Sequence, residues 1–223
     1  DGRTPVSSES AILLALSLPL AGAALIALAG RISPNLREAV TLLTAAALIA
    51  VVWSLLPDIF DGTRPGLTLK EILPGISIAF RVEPLGMMFA GLASGLWLIN
   101  SIYSIGYMRG NREQKQTRFY VMFAISLAAT MGIAFAGNLF TLFVFYEILT
   151  VSTYPLVTHE QNAESRKSGR KYLTYLATLF FMILFWNLSG IIPGLNMPAT
   201  AVIGVPLFLY LLYRGRGLQG SED

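Results

Sequence analysis

The 223-residue chain contains no cysteine and a single histidine. Disulfides, thiolate metal sites, iron–sulfur clusters and cysteine nucleophiles are thereby excluded, and one imidazole cannot build a histidine-rich metal centre. Charge is scarce too: Asp, Glu, Lys and Arg make up 13% of the residues, about half the ~25% of soluble domains. The net charge of +3 sits in loops rather than on one amphipathic face, which argues against a nucleic-acid partner. No phosphate loop, nucleophile triad or dinucleotide fingerprint is present. No cofactor or metal is expected, and neither is an enzyme in the ordinary sense.

What the chain has in quantity is apolar sequence. Hydrophobic residues make up 54% of it, arranged as stretches close to the ~20 residues that cross a ~30 Å hydrocarbon core as a helix. Lipid offers the backbone no hydrogen bonds, so such spans must be helical. The expected fold is an all-α polytopic membrane protein, a single transmembrane domain over 1–223. About seven transmembrane helices are expected, near 10–30, 38–57, 84–107, 118–137, 138–157, 171–190 and 199–213. Ala27-Leu28-Ala29 resembles a signal-peptide cleavage site, but the segment before it carries Asp1 and Glu9 against one Arg, so a retained span is expected. The start at Asp1 rather than Met implies a natural N-terminus that was processed or lost.

Residues 58–83 form the one long loop; Pro65-Gly66 and Pro74-Gly75 punctuate it, and LTLKEIL and ISIAFRV read as strands. A small external hairpin is expected there. Twelve of the sixteen Lys and Arg residues lie in the odd-numbered loops and the C-terminus, and four on the opposite side. Cytoplasmic loops collect the cations, so the N-terminus is expected outside and the C-terminus inside.

Span five, NLFTLFVFYEILTVSTYPLV, places Glu147 at its tenth position, near the bilayer midplane. An ionised carboxylate there costs at least ~2.5–3.5 kcal/mol on insertion scales. The group must therefore take a proton or pair with a cation, and either state suits ion or proton transfer. The alternative is a protonated acid serving as an interhelical hydrogen bond. No other Lys, Arg, Asp or Glu occupies a similar depth. At 100° per residue, Tyr154 lies about 20° from Glu147, Thr150 about 60°, and Phe140 and Phe143 about 20–40°. This acid, hydroxyl and phenol form a candidate proton path; the alternative reading of Thr150 and Tyr154 is packing and capping. Ser126, Thr130, Thr174, Tyr175 and Thr178 are candidate nearby hydroxyls. His159, just past the span, is either a surface histidine or a proton antenna. Gly91 and Gly95 form a GxxxG pattern suited to close helix packing.

Three stretches carry a family resemblance: FRVEPLGMMFAGLASGLWLINSIYSIGYMRGNRE, TRFYVMFAISLAATMGIAFAGNLFTLFVFYEILTVSTYPLVTH and SGRKYLTYL, within residues 80–176. They resemble the D subunit of Mrp-type multisubunit cation/proton antiporters, a family related to the antiporter-like subunits of respiratory complex I. The resemblance implies that Glu147 matches the family's essential acid on the fifth helix. It also implies partner subunits, transport of H⁺ against Na⁺ or K⁺, and residence in the cytoplasmic (inner) membrane of a prokaryote. Family members carry two inverted repeats of helices, and their acid is paired with a lysine on the seventh helix. This chain has no lysine after Lys171, so it looks like a first repeat joined to a diverged or foreign segment over 191–223. That tail, MPATAVIGVPLFLYLLYRGRGLQ, resembles the closing helix of iron-siderophore ABC permeases. Two alternatives to an ion-translocating subunit follow: a truncated, non-conducting assembly subunit, and an ABC importer permease fragment.

Overall fold

The computed structural model describes residues 8–73, 76–159 and 163–191. Asp1–His159 and Glu160–Asp223 form two units, treated separately below.

In the first unit, α1 (Ser8–Ile32) and α2 (Pro34–Ser54) are joined by Ser33 alone. Ser33 caps α2, its Oγ accepting from the Leu36 N–H at 3.1 Å, and Pro34 follows at the first helical position. A short α3 (Leu56–Phe60) leads into β1 (Gly66–Leu73) and β2 (Ile76–Arg81); then come α4 (Pro84–Gly110), α5 (Gln116–Ala134) and α6 (Leu139–Val157). Five helical segments have the length and apolar composition to cross a membrane: Ser8–Ile32, Pro34–Phe60, Pro84–Gly110, Gln116–Ala134 and Leu139–Val157. Each begins or ends within about four residues of an expected span.

Helix α1 packs against α2 and α5, α2 against α4, α4 against α5, and α6 against α5. The shared core contains Ile12, Ala15, Ile26, Ala45, Leu48, Val52, Trp97, Ala124 and Met131. Small residues set the close approaches: a methyl group on Gly22 would overlap the Thr44 side chain across α1 and α2. Outward, Leu25, Leu28, Leu43, Leu92, Leu96 and Ile99 are exposed. A continuous apolar exterior is a liability in water and the expected surface in lipid. The chain is an integral membrane protein.

The GxxxG motif does not serve this internal packing. The inner stripe of α4 is Met87, Ala90, Ser94, Trp97, Ser101, Ser104 and Met108. A methyl group on Gly95 would meet no atom within 4 Å, and Gly91 faces only the Trp53 indole at 3.9 Å.

The long loop is an antiparallel hairpin, paired Gly66↔Arg81 through Leu73↔Ile76 with two register irregularities. Its β2 edge is covered by the α5–α6 turn. Arg81 N–H donates to Phe135 O at 2.7 Å and Gly137 N–H to Ala79 O at 2.8 Å. Pairing an edge strand this way removes a row of open backbone groups.

The second unit's α7 runs Ala163–Ile191 and begins with the charged stretch AESRKSGRK. The expected sixth span, 171–190, lies inside it, together with Thr174, Tyr175 and Thr178. The expected seventh span, 199–213, and nearly all of the 191–223 tail fall outside the described residues.

Candidate functional site

Helix α6 has two unlike sides. Thr141, Phe145 and Ser152 lie within about 40° of one another on the wheel and roughly 120–160° from Glu147. That first side is committed to neighbours. Thr141 Oγ1 accepts from the Ala79 N–H at 3.0 Å, tying α6 to β2. Asn138 caps α6, its Oδ1 accepting from Thr141 N–H at 2.8 Å, while its Nδ2 donates to Ser77 O at 2.8 Å. Phe145 meets Phe80 edge-on at 5.5 Å and lies over Gly132 of α5, where any β-carbon would overlap its ring. Ser152 and Ser126 hydroxyls share a hydrogen bond of 2.9 Å. Ser126, Thr130 and Ser152 also donate back to carbonyls of their own helices.

The second side holds Glu147, the ninth of nineteen residues in α6, with Thr150 and Tyr154. All three are half-buried. Among the described residues no hydrogen bond or ion pair reaches the Glu147 carboxyl. The expectation that Ser126 and Thr130 supply hydroxyls to the acid is not met. Ser126 bonds to Ser152 on the far side of α6, and Thr130 to the Ser126 carbonyl. Their helix packs on the committed side, so they cannot reach the acid's face. Pro155 sits inside α6, where it lacks the N–H that would bond the Val151 carbonyl one turn after the acid.

His159 is not a solvated surface side chain: it is half-buried, with its ring edge-on to Phe119 at 5.8 Å. Arg118 donates to the His159 carbonyl at 2.6 Å, joining the ends of α5 and α6.

A second polar cluster is not evident from the sequence. Arg37 and Glu38 are both buried, at 5% and 6% exposure, near the start of α2. Arg37 donates to Glu38 at 3.2 Å, to Gln116 Oε1 at 2.7 Å and to Thr117 Oγ1 at 3.4 Å. Arg109, at the end of α4, donates from Nε to Glu38 Oε1 at 3.0 Å, and from Nη2 to Glu38 Oε2 and Asn35 Oδ1. The Tyr120 ring lies under the Arg37 guanidinium, 5.1 Å away. The available signal is an Arg-Glu pair at a span's first turn, with a further Arg at the end of another span; loop counting treats such cations as solvated. Among the described residues, no group of three or more His, Cys, Asp or Glu side chains is placed to hold a metal ion.

The helix bundle, the hairpin-capped α5–α6 pair and the mid-span acid define an integral membrane protein of antiporter-like architecture. Residues 74–120 match the family model for the N-terminus of chain 5 of NADH-ubiquinone oxidoreductase (complex I). That match runs from the hairpin into α5 and stops before Glu147. A curated relative, NADH-quinone oxidoreductase subunit N of Desulforudis audaxviator, is 29% identical over 139 residues, 60% of this chain and 27% of its own. A Na(+)/H(+) antiporter subunit of Alkalihalophilus pseudofirmus is 24% identical over 168 residues, 67% of this chain and 21% of its own. Among solved structures, a chain of the Mrp complex from a Dietzia species shares the fold: TM-score 0.66 at 20% identity, covering 92% of this chain and 40% of that one. This chain therefore spans about a quarter of the length of these curated relatives. The matches support the complex I-like antiporter family as the chain's kin.

Proposed function

We propose that the chain is an ion-translocating subunit of an Mrp-type cation/proton antiporter assembly, of the D-subunit kind, with Glu147 as its reversible proton carrier. The assembly would exchange H⁺ for Na⁺ or K⁺ across the cytoplasmic membrane of a prokaryote, with the cation-rich helix ends on the cytoplasmic side. The observation that carries this reading is the position of Glu147: mid-span, and on the side of α6 that α5 leaves uncovered. An acid already engaged by neighbours would hold one protonation state, whereas this carboxyl has no described partner to fix it. Thr150 and Tyr154 line the same face and extend a proton path toward the end of α6, where His159 would act as the antenna. The lysine that partners this acid in the family would come from another part of the assembly.

The test is coupled transport in everted vesicles. Glu147→Gln is expected to abolish exchange while leaving membrane insertion and the level of the protein intact; undiminished exchange by this variant sinks the reading.

The absence of a described cation beside Glu147 favours a second reading, in which the chain docks in such an assembly without moving ions. It predicts that deleting the chain disrupts the assembly, while Glu147→Gln leaves both assembly and ion gradients unchanged.

A further inference from the structure

The Arg37–Glu38–Arg109 cluster opens onto a cavity of about 700 Å³ lined by Pro34, Asn35, Arg37, Arg109, Glu113, Lys115, Gln116 and Thr117. It lies where the start of α2, the end of α4 and the start of α5 meet, at the opposite end of the bundle from the hairpin.

The cluster's acceptors are taken. Both Glu38 oxygens receive Arg109, Oε1 also receives Arg37, and Asn35 Oδ1, Gln116 Oε1 and Thr117 Oγ1 each receive an arginine. Its donors are not exhausted. A guanidinium carries five N–H groups; buried Arg37 keeps its Nε without a partner among the described residues, and no described acceptor meets Arg109 Nη1. Gln116 turns its own N–H groups inward, onto the Met108 and Glu113 carbonyls. The charges lining or bracing the cavity are Arg37, Arg109 and Lys115 against Glu38 and Glu113, a surplus of one cation.

We propose that this cavity binds a phosphate-bearing anion, and that its source is the headgroup of an anionic phospholipid. A planar guanidinium fork matches two phosphate oxygens, and a basic pocket between transmembrane helix ends is placed where headgroups lie. Glu38 holds both guanidiniums in position and half-neutralises them, so they remain in place when the site is empty. Glu113 at the rim disfavours a highly charged anion and suits a phosphodiester.

The test is lipid binding by the full chain extracted in mild detergent, followed by native mass spectrometry and thermal melting. Three arms are compared: phosphatidylglycerol, phosphatidylcholine and inorganic phosphate. Phosphatidylglycerol is expected to bind and raise the melting temperature, with phosphatidylcholine without effect. Lys115→Gln should weaken phosphatidylglycerol about fivefold, the increment of one cation near a headgroup, and Arg109→Gln should weaken it further. Lys70→Gln, an equal charge change in the hairpin, should leave binding as it was. Because Arg109→Gln also removes a partner of Glu38, Lys115→Gln decides if that variant does not fold. Stabilisation by inorganic phosphate alone, lost in Lys115→Gln, would keep the anion site and overturn the lipid as its source. Equal binding of both lipids, or equal losses in Lys115→Gln and Lys70→Gln, would overturn the site.

Discussion

Two glutamates lie inside helices of this bundle, and their surroundings are opposite. Glu38 is 6% exposed, and two arginines bond its oxygens. Glu147 is half-buried, on the side of α6 turned from α5, with no described hydrogen bond or ion pair. A carboxylate held by guanidiniums stays ionised, because the cations lower the energy of the charged form. A carboxyl without such a partner, in an apolar span, can change its protonation with its surroundings. The difference separates the acid that holds helices together from the acid available for transport.

The largest effect should come from breaking the first. Removing one member of a buried ion pair strands the others, at about 3–5 kcal/mol. Glu38→Ala is expected to lower stability by that order, read as loss of folded protein in detergent melting or protease resistance, since Arg37 would be left buried without its acid. Next is the contact that brings α6 to α5: Gly132→Val places methyl groups in the Phe145 ring and should cost about 1–3 kcal/mol by overpacking. Melting at the wild-type temperature would show that the two helices part without loss. Somewhat smaller is Thr141→Val, which keeps the shape of the side chain but leaves the Ala79 N–H without its acceptor, at about 1–2 kcal/mol. Hydrogen exchange at Ala79 should accelerate while that of α1 and α2 stays unchanged; unaltered exchange at Ala79 would show that the hydroxyl does not tie the hairpin to α6.

The parts of this fold written in short-range physics are the parts the sequence discloses. The lengths of the apolar runs locate five helices, because lipid leaves the backbone no alternative. Two Pro-Gly steps around LTLKEIL and the alternation in ISIAFRV disclose the hairpin. The shared face of Glu147, Thr150 and Tyr154 follows from helical spacing alone. What a single sequence does not show is which side of a uniformly apolar helix meets which neighbour. Helix α6 is hydrophobic all round, so periodicity gives no inner face, and Ser126 reads as a neighbour of the acid although it bonds Ser152. The Arg37–Glu38–Arg109 cluster escapes for a related reason: Arg109 lies 71 residues from Glu38, across α2 and α4, and each member alone looks like an ordinary loop or span-end charge. The GxxxG pattern misleads in the other direction, since a motif for close packing says nothing about whether the partner is in the same chain.

The smallest predicted effect sharpens the contrast between the two acids most. Glu147→Gln keeps the size and most of the shape of the side chain and removes only its ability to ionise. Because no described group depends on this carboxyl, the substitution is expected to change stability by less than about 0.5 kcal/mol, the range of replacements away from any specific contact. The same Glu→Gln exchange at position 38 weakens charge-assisted hydrogen bonds from two arginines and should be clearly destabilising. Melting both variants under one set of conditions therefore tests the division of labour independently of any transport measurement. If Glu147→Gln destabilises as much as the change at Glu38, the mid-span acid is a structural hydrogen-bonding group, and its place on the open side of α6 would have to be explained by packing rather than by proton movement.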